Sequence, residues 1–189
     1  MAHSALLVMD VQRSIVDRFD DDGGLLPRLA EAVGAARSVG LPVIHVVVGF
    51  RPGHPEVSPR NQVFNTLAGS GRFTGGDPGA EIHPDVAPRP DEVVVTKRRV
   101  SAFAGSDLDM VLRAGGIDHL VLSGIATSGV VLSTLRQAAD LDYRLTVLAD
   151  GCLDSDPEVH DVLTGKVFPR QAAVLSVAEW AKDLAAYRS

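Results

Sequence analysis

The sequence predicts an α/β fold in which parallel strands are covered by helices on both faces. Short apolar runs, which are typical of buried strands, alternate with segments whose apolar residues recur at helical spacing. This alternation implies crossover helices on both faces of a parallel sheet. The chain has 189 residues, of which 46% are hydrophobic and 22% charged. These values predict one domain over 1–189 with a sizeable core.

The predicted elements follow one another regularly along the chain. Strands are expected at 5–9, 42–48, 92–96, 119–123, 144–148 and 172–175. Helices are expected at 25–39, 107–114, 128–141, 157–167 and 177–187. Ser106 and Asp156 are the predicted N-caps of two of these helices, and Gly40 and Gly115 stand where helices should stop.

Residues 49–91 interrupt this alternation with many prolines and glycines. A long irregular segment inside a compact domain is usually functional or mobile. We therefore expect loops over one edge of a binding site and no second domain. His54 and His83 lie in this segment, but the spacing of its acidic and histidine residues does not suggest a metal site.

Charge, hydropathy and cysteine content limit the possible functions. The net charge of -6 argues against nucleic acid as a partner, because nucleic-acid-binding proteins show basic stripes. No apolar run approaches the roughly 20 residues that cross a membrane. The chain has one cysteine, Cys152, so no intrachain disulfide can form and a cytoplasmic setting is expected.

Polar residues follow three of the predicted strands. Asp10 and Lys97 end two of them, and the turn at 124–127 ends a third. Ligands of open parallel sheets bind beyond the carboxyl ends of the strands. We therefore expect these groups to meet in one crevice if the strands are neighbours. A buried carboxylate needs a partner, so a purely structural Asp10–Lys97 ion pair is the alternative to a functional site.

Several motifs, taken in order, resemble the isochorismatase-like hydrolases along nearly the whole chain. They are LVMDVQ at 7–12, GAEIH at 79–83, Lys97 followed by SAFAGSDL at 101–108, LSGIAT at 122–127, Ser133-Thr134 and the segment 138–143. The resemblance implies a three-layer α/β/α sandwich with a six-stranded, mainly parallel, Rossmann-like sheet. It also implies a homodimer or larger homo-oligomer and a small-molecule substrate, and we expect no cofactor.

The resemblance also implies a set of site residues. Amidases of the family resemble an Asp-Lys-Cys arrangement in which a thiolate attacks the carbonyl, whereas true isochorismatases hydrolyse a vinyl ether with the aspartate as acid. The aspartate corresponds to Asp10, the lysine to Lys97, and a non-proline cis peptide to Ile125–Ala126. The nucleophile position falls on Val130, which has no nucleophilic atom, although its N–H could still face an oxyanion. The glycine often found there in isochorismatases is absent as well.

Other residues are candidates for the chemistry or for the pocket. Ser128 and Thr127 lie near a helix start, where an N-cap role is favoured over a nucleophilic one for Ser128. Cys152, isolated in sequence, is expected to fill apolar space. For Arg51 and Asn61 a solvated loop position is an equal alternative, as core packing is for Phe19 and Phe103. The pocket candidates are Gln12, Phe19, Arg51, Asn61, Phe103, Thr127 and Ser128.

Two functions remain open from the sequence. One is hydrolysis of a vinyl ether or amide with Asp10 as general acid or base and without a cysteine nucleophile. The other is a catalytically silent member that binds a ligand or acts as a scaffold. Fold alone cannot choose between them, but residue 130 counts against an amidase that forms a covalent intermediate.

Overall fold

A computed structural model of the chain describes residues 3–19 and 23–186. Six parallel strands form one sheet in the order β3-β2-β1-β4-β5-β6. This arrangement confirms the predicted fold class. The strands are β1 (Ser4–Met9), β2 (Val43–Val48), β3 (Val93–Lys97), β4 (His119–Ile125), β5 (Arg144–Leu153) and β6 (Ala173–Leu175).

Helices cover both faces of the sheet. They are α1 (Arg13–Phe19), α2 (Leu25–Ser38), α3 (Gln62–Asn65), α4 (Leu108–Ala114), α5 (Leu132–Asp140), α6 (Pro157–Val162) and α7 (Val177–Ala186). The predicted end of the last helix at residue 187 lies outside the described residues. A short π turn at Thr127–Val131 precedes α5, and another at Leu163–Val167 follows α6. Both helices are therefore shorter than predicted.

The three layers arise from the alternation of side chains along the buried strands. In β1, Leu7 and Met9 join a core that contains residues of α4 and α5. Leu6 and Val8 point the other way, into a core that contains residues of α1, α2 and α7. Successive side chains of a strand face opposite sides of the sheet. A strand that is apolar on both sides must therefore be covered by helices on both faces.

Helix capping agrees with the sequence at one predicted position and differs at the other. The Asp156 carboxylate accepts hydrogen bonds from the N–H groups of Glu158 and Val159 and caps α6, as predicted. The N-cap of α4 is Asp107 and not Ser106, although the Ser106 hydroxyl accepts a bond from the Leu108 N–H at 3.2 Å. The cap prediction for Ser106 is therefore wrong by one residue.

The irregular segment 49–91 forms a small core of its own beside the carboxyl ends of β1 and β2. Phe50, Phe64 and Phe73 pack together with Val48 from the end of β2. A bridge between Phe50 and Thr74 closes this segment on itself, and another between Gln12 and Ile82 ties it to the residues that follow β1. The segment therefore lies against the sheet edge where the polar strand ends converge.

Candidate active site

A buried ion pair lies at the carboxyl edge of the sheet. The Lys97 Nζ lies 2.9 Å from Asp10 Oδ2, and the two side chains are only 2% and 9% exposed. Lys97 Nζ also donates to the Arg99 carbonyl oxygen at 3.0 Å. The second carboxylate oxygen, Asp10 Oδ1, is buried and has no hydrogen-bond partner among the described residues. One oxygen of the carboxylate is thus fixed by the lysine, and the other has unused hydrogen-bonding capacity.

The burial of Asp10 changes its acidity. Desolvation raises the pKa of the Asp10 carboxyl above its ordinary value, and the Lys97 ammonium opposes part of that rise. A carboxyl group of this kind holds a proton at a higher pH than a surface aspartate does. Both acid and base roles are therefore chemically available at this position.

The turn that follows β4 brings backbone groups next to this pair. The Ile125–Ala126 peptide bond is cis, the geometry that the resemblance implied for these residues. Gly124 has φ +130°, and a Cβ at this position would lie 2.0 Å from the Met9 carbonyl oxygen. Only glycine allows the end of β4 to approach the end of β1 this closely.

Two residues that come after β5 in the chain hold this turn in place. The Thr127 hydroxyl is hydrogen-bonded to His160 Nδ1 of α6 at 2.8 Å. The Ser128 N–H donates to Asp154 Oδ2 at 2.7 Å, and Asp154 is itself buried. These contacts fix the conformation of the turn.

A cavity of about 250 Å³ opens directly onto the ion pair and the turn. Asp10, Lys97, Ile125, Ala126 and Val130 all line it, so the structure brings these five predicted residues together. The Val130 side chain is 2% exposed and belongs to the core around α5. Val48, Val100 and Gly129 also line it. The outer walls come from α1, α3 and the loop that follows α3, through Ser14, Ile15, Arg18, Phe19, Val63, Phe64, Thr66, Leu67, Arg72 and Phe73.

A larger cavity, of about 420 Å³, lies at the opposite edge of the sheet. It is bounded by residues that precede β2 and β3, among them Pro42, Asp91 and Glu92. Ligands of parallel sheets bind at the carboxyl ends of the strands. We therefore assign the candidate active site to the smaller cavity at the carboxyl edge.

Three predicted pocket residues are buried in supporting positions and do not line this cavity. Gln12 is fully buried, and its amide bonds both the N–H and the carbonyl oxygen of Val48, at 2.9 and 3.0 Å. Phe103 belongs to the core around α4 and α5 and contacts Tyr143. Thr127 is fully buried against His160. Gln12 and Thr127 make hydrogen bonds within the protein, and Phe103 packs in the core, so all three support the site from below.

Three other pocket candidates do not line this cavity and make their contacts elsewhere, and for Arg51 and Asn61 a loop position was the equal alternative. Arg51 is exposed and pairs with Glu56. The Asn61 side chain caps α3 by accepting from the Phe64 N–H at 3.1 Å. Ser128 is exposed and is not an N-cap, since the caps of the π turn and α5 are Ala126 and Val131. Phe19 is the predicted pocket side chain that does line the cavity.

Cys152 lies in β5, paired with Gly124 of β4, and its side chain is buried in the core. Burial raises the pKa of the Cys152 thiol to about 12. A thiol in this environment stays protonated and is a poor nucleophile. Its position agrees with the sequence-based expectation of an apolar filler.

No group of three or more His, Cys, Asp or Glu side chains that could hold a metal ion occurs among residues 3–19 and 23–186. His45 is buried in β2 and lies 3.4 Å from Glu92, as expected for a hydrogen-bonded core histidine. His83 Nδ1 accepts from the Asp85 N–H. In the same part of the chain, no helix is long and apolar enough to cross a membrane.

Sequence reasoning missed two arginines that line the cavity, Arg18 and Arg72. Arg18 lies on α1, which was not predicted. The available signal was Ile15 and Phe19, which stand four residues apart just after Asp10 and face the cavity together. Arg72 lies in a glycine-rich loop, where no periodicity shows which way a side chain points.

The fold and the site define an α/β protein with a buried carboxylate–ammonium pair beside a tight backbone turn. The family model described as "Isochorismatase domain" matches residues 4–179. The chain therefore belongs to the isochorismatase family of hydrolases.

Curated relatives agree with this assignment. An uncharacterized isochorismatase family protein, YwoC of Bacillus subtilis, is 34% identical over 88% of this chain and 86% of its own length. The ureidoacrylate amidohydrolase RutB of Stutzerimonas stutzeri is 33% identical over 93% of this chain and 76% of its own.

Solved structures share the fold over almost the full length. A cysteine hydrolase from Pseudomonas syringae pv. phaseolicola superposes with a TM-score of 0.91 at 20% identity, covering 98% of this chain and 93% of its own. The N-carbamoylsarcosine amidase of Thermoplasma acidophilum gives a TM-score of 0.76 at 27% identity, covering 93% of this chain and 96% of its own. The first of these supports the fold alone.

Proposed function

We propose that this protein hydrolyses a small molecule by general acid–base catalysis through Asp10, without a covalent enzyme intermediate. One observation carries the proposal. The buried Asp10–Lys97 pair faces a cavity in which the position expected for a nucleophile holds Val130, and Asp10 Oδ1 has no hydrogen-bond partner among residues 3–19 and 23–186. A proton can be exchanged at that oxygen, whereas no thiolate can form beside it.

The raised pKa of Asp10 favours a vinyl ether as the bond that is broken. In this reaction the protonated carboxyl gives its proton to the terminal vinyl carbon, and the ether oxygen helps to carry the resulting positive charge. Water adds to the cationic carbon and releases a proton to the Asp10 carboxylate. The hemiketal then collapses, its C–O bond breaks, and an alcohol and a ketone leave. The net change is the addition of one water molecule.

Lys97 acts on this cycle through Asp10. Its ammonium holds Oδ2 at 2.9 Å and so fixes the orientation of the carboxyl group. The positive charge of Lys97 also stabilises the carboxylate that remains after the proton has left. Lys97 is therefore a positioning residue that tunes the acid.

An amide is the second candidate, supported by the activities named for two similar proteins, ureidoacrylate amidohydrolase and N-carbamoylsarcosine amidase. Here the Asp10 carboxylate would take a proton from water as the water attacks the carbonyl. The N–H groups of Ala126 and Val130, in residues that line the cavity, would hold the oxyanion. Asp10 would then return the proton to the leaving amine. Ile125 contributes the cis peptide that shapes this turn.

The experiment is a turnover screen of small vinyl ethers, isochorismate and small amides with the wild type and Asp10→Asn. We expect the substitution to reduce turnover at least about 100-fold, as loss of a general acid–base group does. Asp140→Asn, a surface substitution on α5, is the matched control and should keep full activity. Asp140→Asn should unfold within a few degrees of the wild-type temperature, whereas Asp10→Asn leaves the buried Lys97 ammonium without its carboxylate and should unfold at a lower temperature. Circular dichroism at the assay temperature therefore checks that Asp10→Asn is folded. Unchanged turnover in folded Asp10→Asn would reject the proposal.

Val130→Cys tests the missing nucleophile directly. If residue 130 occupies the position where family amidases carry their thiol, the variant should gain or increase activity towards amides and become sensitive to iodoacetamide.

A silent binding protein is the competing function. It would bind screened molecules without converting any of them, and Asp10→Asn would then change nothing but affinity.

A further inference from the structure

The turn that follows β4 faces the cavity with some residues and the rest of the protein with others. Four of its residues line the cavity: Ile125, Ala126, Gly129 and Val130. Thr127 and Ser128, which lie between them, do not line it and are bound by side chains from distant parts of the chain. The residues that face the cavity are therefore positioned through neighbours that do not.

The backbone of this turn has no local side-chain cap. Its N-cap residue is Ala126, whose methyl group cannot accept a hydrogen bond. Gly129, inside the π turn, has the non-helical angles φ -95° and ψ -106°, so the helix is kinked there. The first N–H groups of a helix lack partners within the helix. The turn therefore requires an acceptor from elsewhere in the protein.

Asp154 supplies this acceptor. It stands directly after β5, and its Oδ2 accepts the Ser128 N–H at 2.7 Å. Asp154 is buried, so the bond is shielded from water. A carboxylate is favoured near the N–H groups of a helix start, and a bond to an ionised acceptor is stronger than a neutral one. Only Gly129 separates Ser128 from Val130, so this bond also limits the direction of the Val130 N–H.

A second contact holds the preceding residue of the turn. Thr127 is fully buried, and its hydroxyl is hydrogen-bonded to His160 Nδ1 on α6 at 2.8 Å. A bond between two side chains acts on the backbone less directly than the bond that Asp154 makes with a backbone N–H. Of the two contacts, the one made by Asp154 therefore has the stronger control over the path of the main chain.

From these contacts we infer that Asp154 is a positioning residue of the active site, which holds the turn so that the Ala126 and Val130 N–H groups face negative charge that develops in the cavity. The inference rests on the amide reaction of the proposed function, because it names a residue that supports the same N–H groups. Preorganised donors need no reorientation during a reaction. A carboxylate that only stabilised the fold would affect melting and leave the reactivity of groups in the cavity unchanged.

The test uses a thiol at position 130, so it does not require a known substrate. Val130→Cys introduces this thiol into the cavity that Lys97 lines, where the ammonium and the N–H groups of the turn favour the thiolate. Alkylation by iodoacetamide is followed by mass spectrometry from about pH 5 to about pH 10, because only the thiolate reacts. The native Cys152 is buried and should stay unlabelled, which shows in the same sample that the core is intact.

Asp154→Asn in this background should move the pH profile of alkylation upwards and slow the reaction at neutral pH at least about threefold. Without the charge-assisted bond, the turn no longer holds its N–H groups towards the thiolate. Loss of the negative charge by itself would have the opposite effect, since removal of a nearby carboxylate makes a thiolate easier to form. The sign of the shift therefore separates positioning from simple electrostatics.

Asp150→Asn is the matched control. The Asp150 Oδ1 accepts the Val177 N–H at 2.7 Å, which is the same kind of bond at the start of α7, and Asp150 does not line the cavity. This variant should not raise the pH profile of the thiol at position 130.

Thr127→Val is a second variant, which tests the inference even if Asp154→Asn does not fold. It removes the hydroxyl contact with His160 and nearly preserves the shape of the side chain. We expect a smaller shift of the pH profile in the same direction. Absence of any shift in folded Thr127→Val, with Asp154→Asn unfolded, would overturn the inference.

Amide turnover tests the same role in the reaction. With an amide substrate and Val130 in place, Asp154→Asn should lower kcat about tenfold and leave KM within about twofold, as expected for an interaction that counts only in the transition state. If the screen finds no amide substrate, the thiol profile decides alone.

Three further results would overturn the inference. The first is an unchanged or lowered pH profile in folded Asp154→Asn. The second is an equal upward shift in Asp150→Asn. The third is labelling of Cys152 in Asp154→Asn, which would show a general loosening of the fold. The proposed function fails separately, through unchanged turnover in Asp10→Asn, and that result would not alter the thiol profiles.

Discussion

Single residues decide what chemistry this site can perform. Asp10 and Lys97 could be chosen from the sequence because each ends an apolar strand, and a buried charge needs a partner. In the structure, Lys97 Nζ lies 2.9 Å from Asp10 Oδ2. The directions of the Arg51 and Asn61 side chains could not be predicted in the same way. In an irregular loop, the side-chain direction depends on local backbone turns that carry no periodic signal.

The pH dependence of turnover distinguishes the two roles of Asp10. Burial raises the pKa of this carboxyl. If Asp10 acts as an acid on a vinyl ether, kcat/KM should be constant below that pKa and fall about tenfold per pH unit above it, because only the protonated form donates. If it acts as a base on an amide, kcat/KM should instead rise with pH through the same value. A profile that is flat from pH 4 to 9 would contradict both roles.

Cys152 should be irrelevant to activity. Its thiol is buried and its pKa is raised to about 12, so almost no thiolate forms at neutral pH. We expect iodoacetamide at pH 7.5 to leave both the mass and the activity of the folded protein unchanged. The same reagent should label the protein fully in urea, which is the control. Rapid inactivation that Cys152→Ser abolishes would show that a reactive thiol had been overlooked.

At the scale of elements, segments with clear periodicity or clear end signals could be predicted, and those without them could not. Five strands and α2 begin and end within a few residues of their predicted positions, whereas β5 runs five residues past its predicted end at 148, to Leu153. The helix α4 has seven residues, as α1 has, but Ser106 and Gly115 mark its ends in the sequence; no such pair of signals marks α1 or α3, which were missed. Tertiary contacts stabilise them, since Phe64 of α3 packs with Phe50 and Phe73.

One ion-pair network joins three elements far from the active site. Arg37 of α2 donates two hydrogen bonds of 2.7 Å to Glu92, which stands just before β3. Glu92 also accepts from the Arg89 N–H and contacts His45 of β2. Hydrogen bonding to Arg37 lowers the pKa of Glu92 to about 2.

This network should stabilise the fold only while Glu92 is ionised. Its folded pKa lies below the ordinary value of 4.5, so the contribution is present above pH 4.5 and disappears as the pH falls towards 2. We expect Glu92→Gln to cost about 2 kcal/mol at pH 7 and to lower the melting temperature by about 4–8 °C. Glu31→Gln, an exposed substitution on α2, is the control. A deficit that persists unchanged at pH 2 would show that lost packing, and not charge, causes it.

At the scale of the whole molecule, the parallel sheet creates the site. Residues 10, 97 and 124–130 are distant in sequence, yet each lies at or just past the carboxyl end of β1, β3 or β4, and parallel strands end at one edge. This convergence could be predicted from strand order and polar strand ends alone. The shape and charge of the cavity could not be predicted, because α1 and the loop after α3 supply its outer walls.

The sheet positions Asp10 and Lys97, whereas the segment 49–91 supplies part of the cavity wall, and this separation affects how the protein can evolve. The Asp10–Lys97 pair is fixed by strands, whereas much of the outer wall belongs to a segment with a separate aromatic core. Replacements in that wall can alter which molecules enter while the proposed acid–base pair keeps its geometry. Selection could thus change the small molecule that the cavity accepts without changes in the sheet.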